Sequence, residues 1–159
     1  MIRRHATRRL LVALRNTPVV HLQGARQTGK STLAQSIATG LPSRTYLTLD
    51  TAAVRAAAQA DPEGFIAGLY GPTVIDEVQR APDLALAIKA AVDADRRAGQ
   101  FLLTGSAGIL SLPRLSESLA GRMEIHTLWP FSQGEISSVR ETFIDRLFAD
   151  KLSTPGSKP

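Results

Sequence analysis

Residues 24–31 of this chain, Gly-Ala-Arg-Gln-Thr-Gly-Lys-Ser, match the Walker A pattern G-x-x-x-x-G-K-[ST] in full. The apolar run Pro18-Val19-Val20-His21-Leu22 leads into it, and Thr32-Leu33-Ala34-Gln35-Ser36-Ile37-Ala38 leads out as helical sequence. Strand, loop and helix in that order are the context this motif requires. Gly24 and Gly29 have no Cβ, so the backbone can turn tightly and approach an anion. The backbone N–H groups from Gly24 through Ala25, Arg26, Gln27, Thr28, Gly29, Lys30, Ser31 and Thr32 form the candidate phosphate cradle. The positive end of the following helix assists them. Lys30 is placed to reach the β- and γ-phosphates, and the Ser31 hydroxyl to coordinate Mg²⁺. The side chain of Arg26 is expected to project outwards. The motif predicts binding of a nucleoside triphosphate, with ATP and Mg²⁺ as the expected cofactors.

A second feature, about 45 residues further on, points from binding towards hydrolysis. Pro72-Thr73-Val74-Ile75-Asp76-Glu77 reads as a short buried strand ending in two carboxylates, a Walker B pattern. In a parallel sheet with the loop, Asp76 arrives beside the Ser31-bound metal ion. Glu77, one residue on, can polarise a water for in-line attack. A small-molecule kinase does not ordinarily use that second carboxylate, so Glu77 favours an ATPase.

With 159 residues and 43% hydrophobic content, the chain can build one domain with a real core. It has no cysteine, which excludes a disulfide framework, a thiolate metal site and a cysteine nucleophile. No apolar run approaches the length of a membrane span, and the expected location is cytoplasmic. The net charge of +5 is uneven: residues 1–49 hold eight of the nineteen Lys and Arg and no Asp or Glu. Arg3, Arg4, Arg8, Arg9 and Arg15 fall on a helical stretch whose apolar face is Ile2, Ala6, Leu10, Leu11 and Leu14. They are read as a solvated helix face, with nucleic acid as the alternative partner.

The pattern predicts helices at 3–15 and 30–39, a break at Gly40-Leu41-Pro42, and helical sequence at 51–59 capped by Asp50. Further helices are predicted from Asp61-Pro62-Glu63 to near Leu69, after Pro82, and over 132–149. Strands are predicted at 18–23, 45–49, 73–76, 100–104 and 123–128. Strands alternating with helices imply a parallel sheet covered on both faces. The tail 153–159 has a disorder-prone composition.

Thr104-Gly105-Ser106 closes the fourth strand, at the sheet edge where ligands of open α/β folds bind. Thr104 and Ser106 are therefore candidate γ-phosphate sensors. Arg122, just before the fifth strand, is a candidate for neutralising transition-state charge, in this chain or a neighbour. His5, His21 and His126 are read as structural.

Together with Val74–Gln79, Leu103–Ser106, Leu119–Arg122 and Leu128-Trp129-Pro130-Phe131-Ser132, the loop resembles prokaryotic AAA+-like ATPases that carry a C-terminal domain of nuclease-like fold and unknown function. The resemblance covers about residues 1–140. It implies a three-layer P-loop fold with five parallel strands in the order 5-1-4-3-2. It also implies Asp76 and Glu77 as the acidic pair and Thr104–Ser106 as the sensor region. In that family a helical lid and the C-terminal domain follow position 140, so the resemblance implies a truncated product, with 141–159 a helical remnant and tail. Such ATPases often complete their site with a neighbour's arginine, which implies self-association or a protein partner. Apolar surface is expected to be exposed after Pro82 and Pro130. Two rival readings keep the same loop: a non-catalytic nucleotide-binding remnant and a small-molecule kinase.

Overall fold

In the computed structural model, residues 2–41, 44–106, 117–139 and 141–148 are described. They fall into two compact units, one of 5–130 and a smaller one of 2–4 with the described residues from 131 on. The larger unit opens with helix α1 (Ala6–Asn16), which buries Leu10, Ala13 and Leu14 at helical spacing. Strand β1 (Val19–Gln23) follows, then α2 (Lys30–Gly40), β2 (Thr45–Thr48), α3 (Ala52–Ala60) and α4 (Pro62–Ala67). Strand β3 (Thr73–Asp76) leads through a 3₁₀ turn at Val78–Arg80 into α5 (Leu84–Ala94), β4 (Phe101–Gly105) and β5 (Met123–Thr127).

The strands form one parallel sheet in the order β2-β3-β4-β1-β5, the order the resemblance implied. Alternation along each central strand feeds two separate cores, as a sheet covered on both faces requires. Val19, Ile75, Phe101 and Leu103 pack with α5 on one face. Val20, Leu22, Val74 and Leu102 pack with α1 and α2 on the other. Gln23 stands level with Gly105 and Thr127, and Thr48 with Asp76, so the strand ends share one edge.

Several boundaries differ from the sequence reading. Helix α1 begins at Ala6 rather than near residue 3. Asp50 does not cap α3: Thr51 holds the N-cap position, and Asp50 instead pairs with Arg80 at 2.6 Å. Asp61 does cap α4, accepting from the Gly64 N–H. The helix expected over 132–149 is two short ones, α6 (Gln133–Ile136) and α7 (Phe143–Phe148). A capping box at Ser132 and Glu135 starts the first.

In the smaller unit Arg4 is buried, correcting its place on a solvated face. It pairs with Glu135 at 3.2 Å and lies over the Phe131 ring. Arg3, Arg8, Arg9 and Arg15 are exposed as read. Phe131, Ile136, Val139, Ile144, Leu147 and Phe148 are exposed, whereas in α5 Leu86 is the exposed large apolar side chain. No helix among the described residues is long and apolar enough to cross a membrane. Pro42, the expected helix end at 149 and the tail 153–159 lie outside the described residues.

Candidate functional site

The loop leaves β1 at Gly24, which has φ 156°. A Cβ on Gly24 would lie 2.4 Å from the Leu128 carbonyl oxygen, so glycine is required by the chain passing behind the loop as well as by backbone conformation. Gln27 (φ 63°) and Gly29 (φ 88°) both take left-handed conformations, turning the chain into α2. Lys30 opens that helix almost fully buried, its Nζ donating to the Ala25 carbonyl at 2.7 Å. Burial lowers its pKa from the usual lysine value, with the nearby charges of Glu77 and Asp76 pulling the other way.

Asp76 is the best-connected side chain of the site. It is buried, and Ser31 Oγ donates to its Oδ1 at 2.9 Å, joined by the Thr104 hydroxyl. Tyr46 donates to Oδ2 at 2.9 Å, and Thr48 reaches the same oxygen at 3.4 Å. Hydroxyl donors on both oxygens satisfy the buried carboxylate and fix its orientation. Burial, and then the bond to Asp76, push the Tyr46 phenol above its ordinary pKa, so it stays a donor. Sheet alternation explains the cluster: residues 46, 48, 76 and 104 share the face that packs on α2, while Ser31 comes from α2 itself.

Glu77 follows in a left-handed conformation, φ 59° and ψ 43°, that ends β3 and starts the 3₁₀ turn. Its N–H donates to Thr104 Oγ1 at 3.3 Å, and its carboxylate accepts from Gln79. Above these residues opens a cleft of about 540 Å³, walled on one side by Arg26, Gln27, Gly29, Lys30, Ser31 and Thr32. Asp50, Glu77, Arg80 and Ser106 wall the other side. That volume lies in the range of small-ligand and cofactor sites.

The structure thus brings together the loop, Asp76, Glu77 and Ser106. Arg26, expected to point away, lines the cleft. Thr104, expected as a sensor, is fully buried beneath the cleft with its hydroxyl committed to Asp76, so it braces the carboxylate. Arg122 is not at this site. Its carbonyl accepts from the Val19 N–H, at the opposite end of the sheet. Its guanidinium forms a two-pronged pair with Asp93 at 2.5 and 2.9 Å. The bond to Arg122 lowers the Asp93 pKa, and the same bond raises that of Arg122.

His21 is buried, its ring nitrogens find no hydrogen-bond partner among the described residues, and burial lowers its pKa to about 4. His126 contacts Glu124 at 2.8 Å on β5. Among the described residues no three His, Cys, Asp or Glu side chains gather into a metal cluster. Sequence reasoning gave no site role to Tyr46, Thr48, Asp50, Gln79 or Arg80. The alternation of β2 carried a signal for Tyr46 and Thr48, which fall on the same sheet face as Asp76.

Residues 16–137 match a family model described as an AAA domain. Two curated relatives, uncharacterized proteins of Mycobacterium bovis and Mycobacterium tuberculosis, are each 39% identical over 157 residues, 99% of this chain. The chain spans about a third (33%) of the length of these curated relatives. Among solved structures, AMPPCP-bound DnaA from Aquifex aeolicus superposes with TM-score 0.59 at 15% identity, over 99% of this chain and 55% of that one. A Walker-type ATPase of Pyrococcus abyssi gives 0.56 at 16% identity, over 98% and 60%. The P-loop NTPase domain of a sigma-54 transport activator from E. coli gives 0.54 at 18%, over 79% and 92%. At these identities the solved structures share the fold.

Proposed function

The chain belongs to the AAA-domain family, a nucleotide-binding, ATPase-like P-loop family, and on that premise we propose that it binds Mg·ATP and hydrolyses it to ADP and phosphate. The observation that carries this reading is the 2.9 Å bond between Ser31 Oγ and Asp76 Oδ1. It ties the phosphate loop to the end of β3, with Glu77 the next residue. Two cis oxygens of a Mg²⁺ shell with bonds of about 2.1 Å stand about 3 Å apart, so this oxygen pair fits a hard divalent ion. A site with few protein oxygens also suits an ion that takes its remaining ligands from phosphates and water. When bound, Mg²⁺ neutralises charge on the β- and γ-phosphate oxygens.

The residues divide the remaining work. The loop N–H groups and Lys30 hold the phosphates, and the depressed pKa of Lys30 reflects a desolvated cation suited to a polyanion. The hydroxyls of Tyr46, Thr48 and Thr104 hold the Asp76 carboxylate aimed at the position shared with Ser31. Glu77 takes the proton from the attacking water, and Ser106 faces the terminal phosphate. Arg80, which lines the cleft beside Asp50, is placed to meet phosphate charge.

Glu77→Gln tests the hydrolytic part. The amide keeps the shape and cannot accept a proton. Nucleotide affinity, read by titration with a fluorescent analogue, is expected to stay near wild type. Release of inorganic phosphate is expected to fall about a hundredfold. Phosphate release at the wild-type rate would remove Glu77 as the base.

A further inference from the structure

Gln79 is a polar side chain beside the cleft that the roles above leave unused. The left-handed turn at Glu77 folds the chain back, so that Gln79 lies over the end of β4. Its Nε2 donates both to the Glu77 carboxylate and to Ser106 Oγ, the latter at 3.2 Å. One amide nitrogen therefore joins the last residues of two neighbouring strands' site segments.

The surroundings are shaped around that amide. Its Oε1 is buried and accepts no hydrogen bond among the described residues. A Cβ on Gly105 would come 2.7 Å from Oε1 and 3.5 Å from His21 Nε2. Gly105 has an ordinary backbone conformation, so its lack of a side chain serves the space that Gln79 occupies. Leaving a buried carbonyl oxygen unpaired costs about 1–3 kcal/mol. An apolar side chain of similar size would fill the space without that cost, so packing alone does not account for an amide here.

We propose that Gln79 is a positioning residue for hydrolysis: it fixes the Glu77 carboxylate and ties it to Ser106, so that the water-activating base and the hydroxyl facing the terminal phosphate are held as one unit. This rests on the hydrolytic reading given above. The amide's hydrogen bonds among the described residues go to Glu77 and Ser106 and not to the phosphate loop, so its contribution falls on turnover and leaves binding alone. Gly105 belongs to the same device as the space in which the amide rests.

The test is steady-state ATP hydrolysis across pH 5–9 with nucleotide affinity measured in parallel, for wild type, Glu77→Gln, Gln79→Ala, Gln79→Glu, Gly105→Ala and the Gln79→Ala/Gly105→Ala pair. Gln79→Ala is expected to lower kcat about tenfold or more, with KM and nucleotide affinity within about twofold. Gly105→Ala is expected to do the same by displacing the amide, and the double variant to be no worse than either single one, since both remove one interaction. Gln79→Glu keeps the length of the side chain and removes the donor N–H that faces Glu77 and Ser106, so it is expected to lower kcat as Gln79→Ala does with nucleotide affinity kept, a split that a purely structural role would not produce. Wild-type kcat in Gln79→Ala, or a loss of kcat matched by an equal loss of nucleotide affinity, overturns the positioning role while leaving the ATPase intact. Wild-type turnover no faster than Glu77→Gln overturns the hydrolytic reading and this inference with it.

Discussion

At the carboxyl end of the sheet, Asp76 is buried and its two oxygens accept from four hydroxyls drawn from β2, β4 and α2. At the amino end, Asp93 and Arg122 form an ion pair with side chains 43% and 26% exposed. Both ends bring a charged group to the termini of strands. The first is enclosed by donors that satisfy one anion and leave a cleft above it. The second is a closed pair whose charges cancel in solvent. In a parallel sheet the end is decided by whether a residue follows its strand or precedes it. Asp76, Glu77 and Ser106 lie at or just after strand ends, whereas Arg122 immediately precedes β5. An arginine before a strand cannot reach a phosphate bound beyond that sheet's opposite edge.

The sharpest way to break this comparison is to remove each carboxylate in turn. Asp76→Ala strands the buried Thr104 hydroxyl and the half-buried Tyr46 phenol, and is expected to cost about 4 kcal/mol in urea unfolding. Asp93→Ala opens a solvent-screened pair and is expected to leave the unfolding midpoint unchanged. Equal effects from the two would show that the ends do not differ in the way described.

Between the two ends lies His21, which tests the dryness of the sheet interior beneath the site. Its folded pKa of about 4 lies below the ordinary histidine value of 6.5, so the unfolded chain binds more protons between those values. Its contribution is therefore intact above pH 6.5 and is lost as pH falls towards 4, by about 3 kcal/mol. His21→Leu is expected to flatten that part of the acid dependence, read as unfolding free energy at pH 7 and pH 4.5 in variant and wild type. Identical pH slopes would mean that the imidazole is not held neutral by burial.

The smallest expected effect separates the two arginines. Arg80→Ala is expected to weaken triphosphate binding severalfold, as loss of a partly exposed charge contact near phosphate should. Arg122→Ala is expected to change neither affinity nor phosphate release. A loss in Arg122→Ala on the isolated chain would return that residue to the active site.

Much of this was legible because motif and strand pattern are local. Gly24–Ser31 fixed the loop, and apolar alternation fixed five strands to within a residue or two. The strand order came from the resemblance. What was not legible depends on which side chains meet across strands. Tyr46 and Thr48 join Asp76 only because β2 pairs with β3 in the register that sets Thr48 level with Asp76. Gln79 was visible in the sequence beside Glu77, but its task depends on the left-handed turn that folds it over Gly105. Asp50 was assigned to a helix cap because its position before α3 suits one. The ion pair with Arg80 competes for the same carboxylate and holds it instead.

The account's central claim is that the carboxyl end of the sheet is a triphosphate site. Lys30 tests it most directly, because the other loop contacts are backbone groups that substitution leaves in place. Calorimetric titration of ATP and ADP, each with Mg²⁺, into wild type and Lys30→Ala measures what the buried ammonium contributes. The account predicts that the variant loses affinity for both nucleotides and at least tenfold more for ATP than for ADP, since Lys30 reaches the β- and γ-phosphates together. Equal ATP affinity in wild type and Lys30→Ala would contradict it.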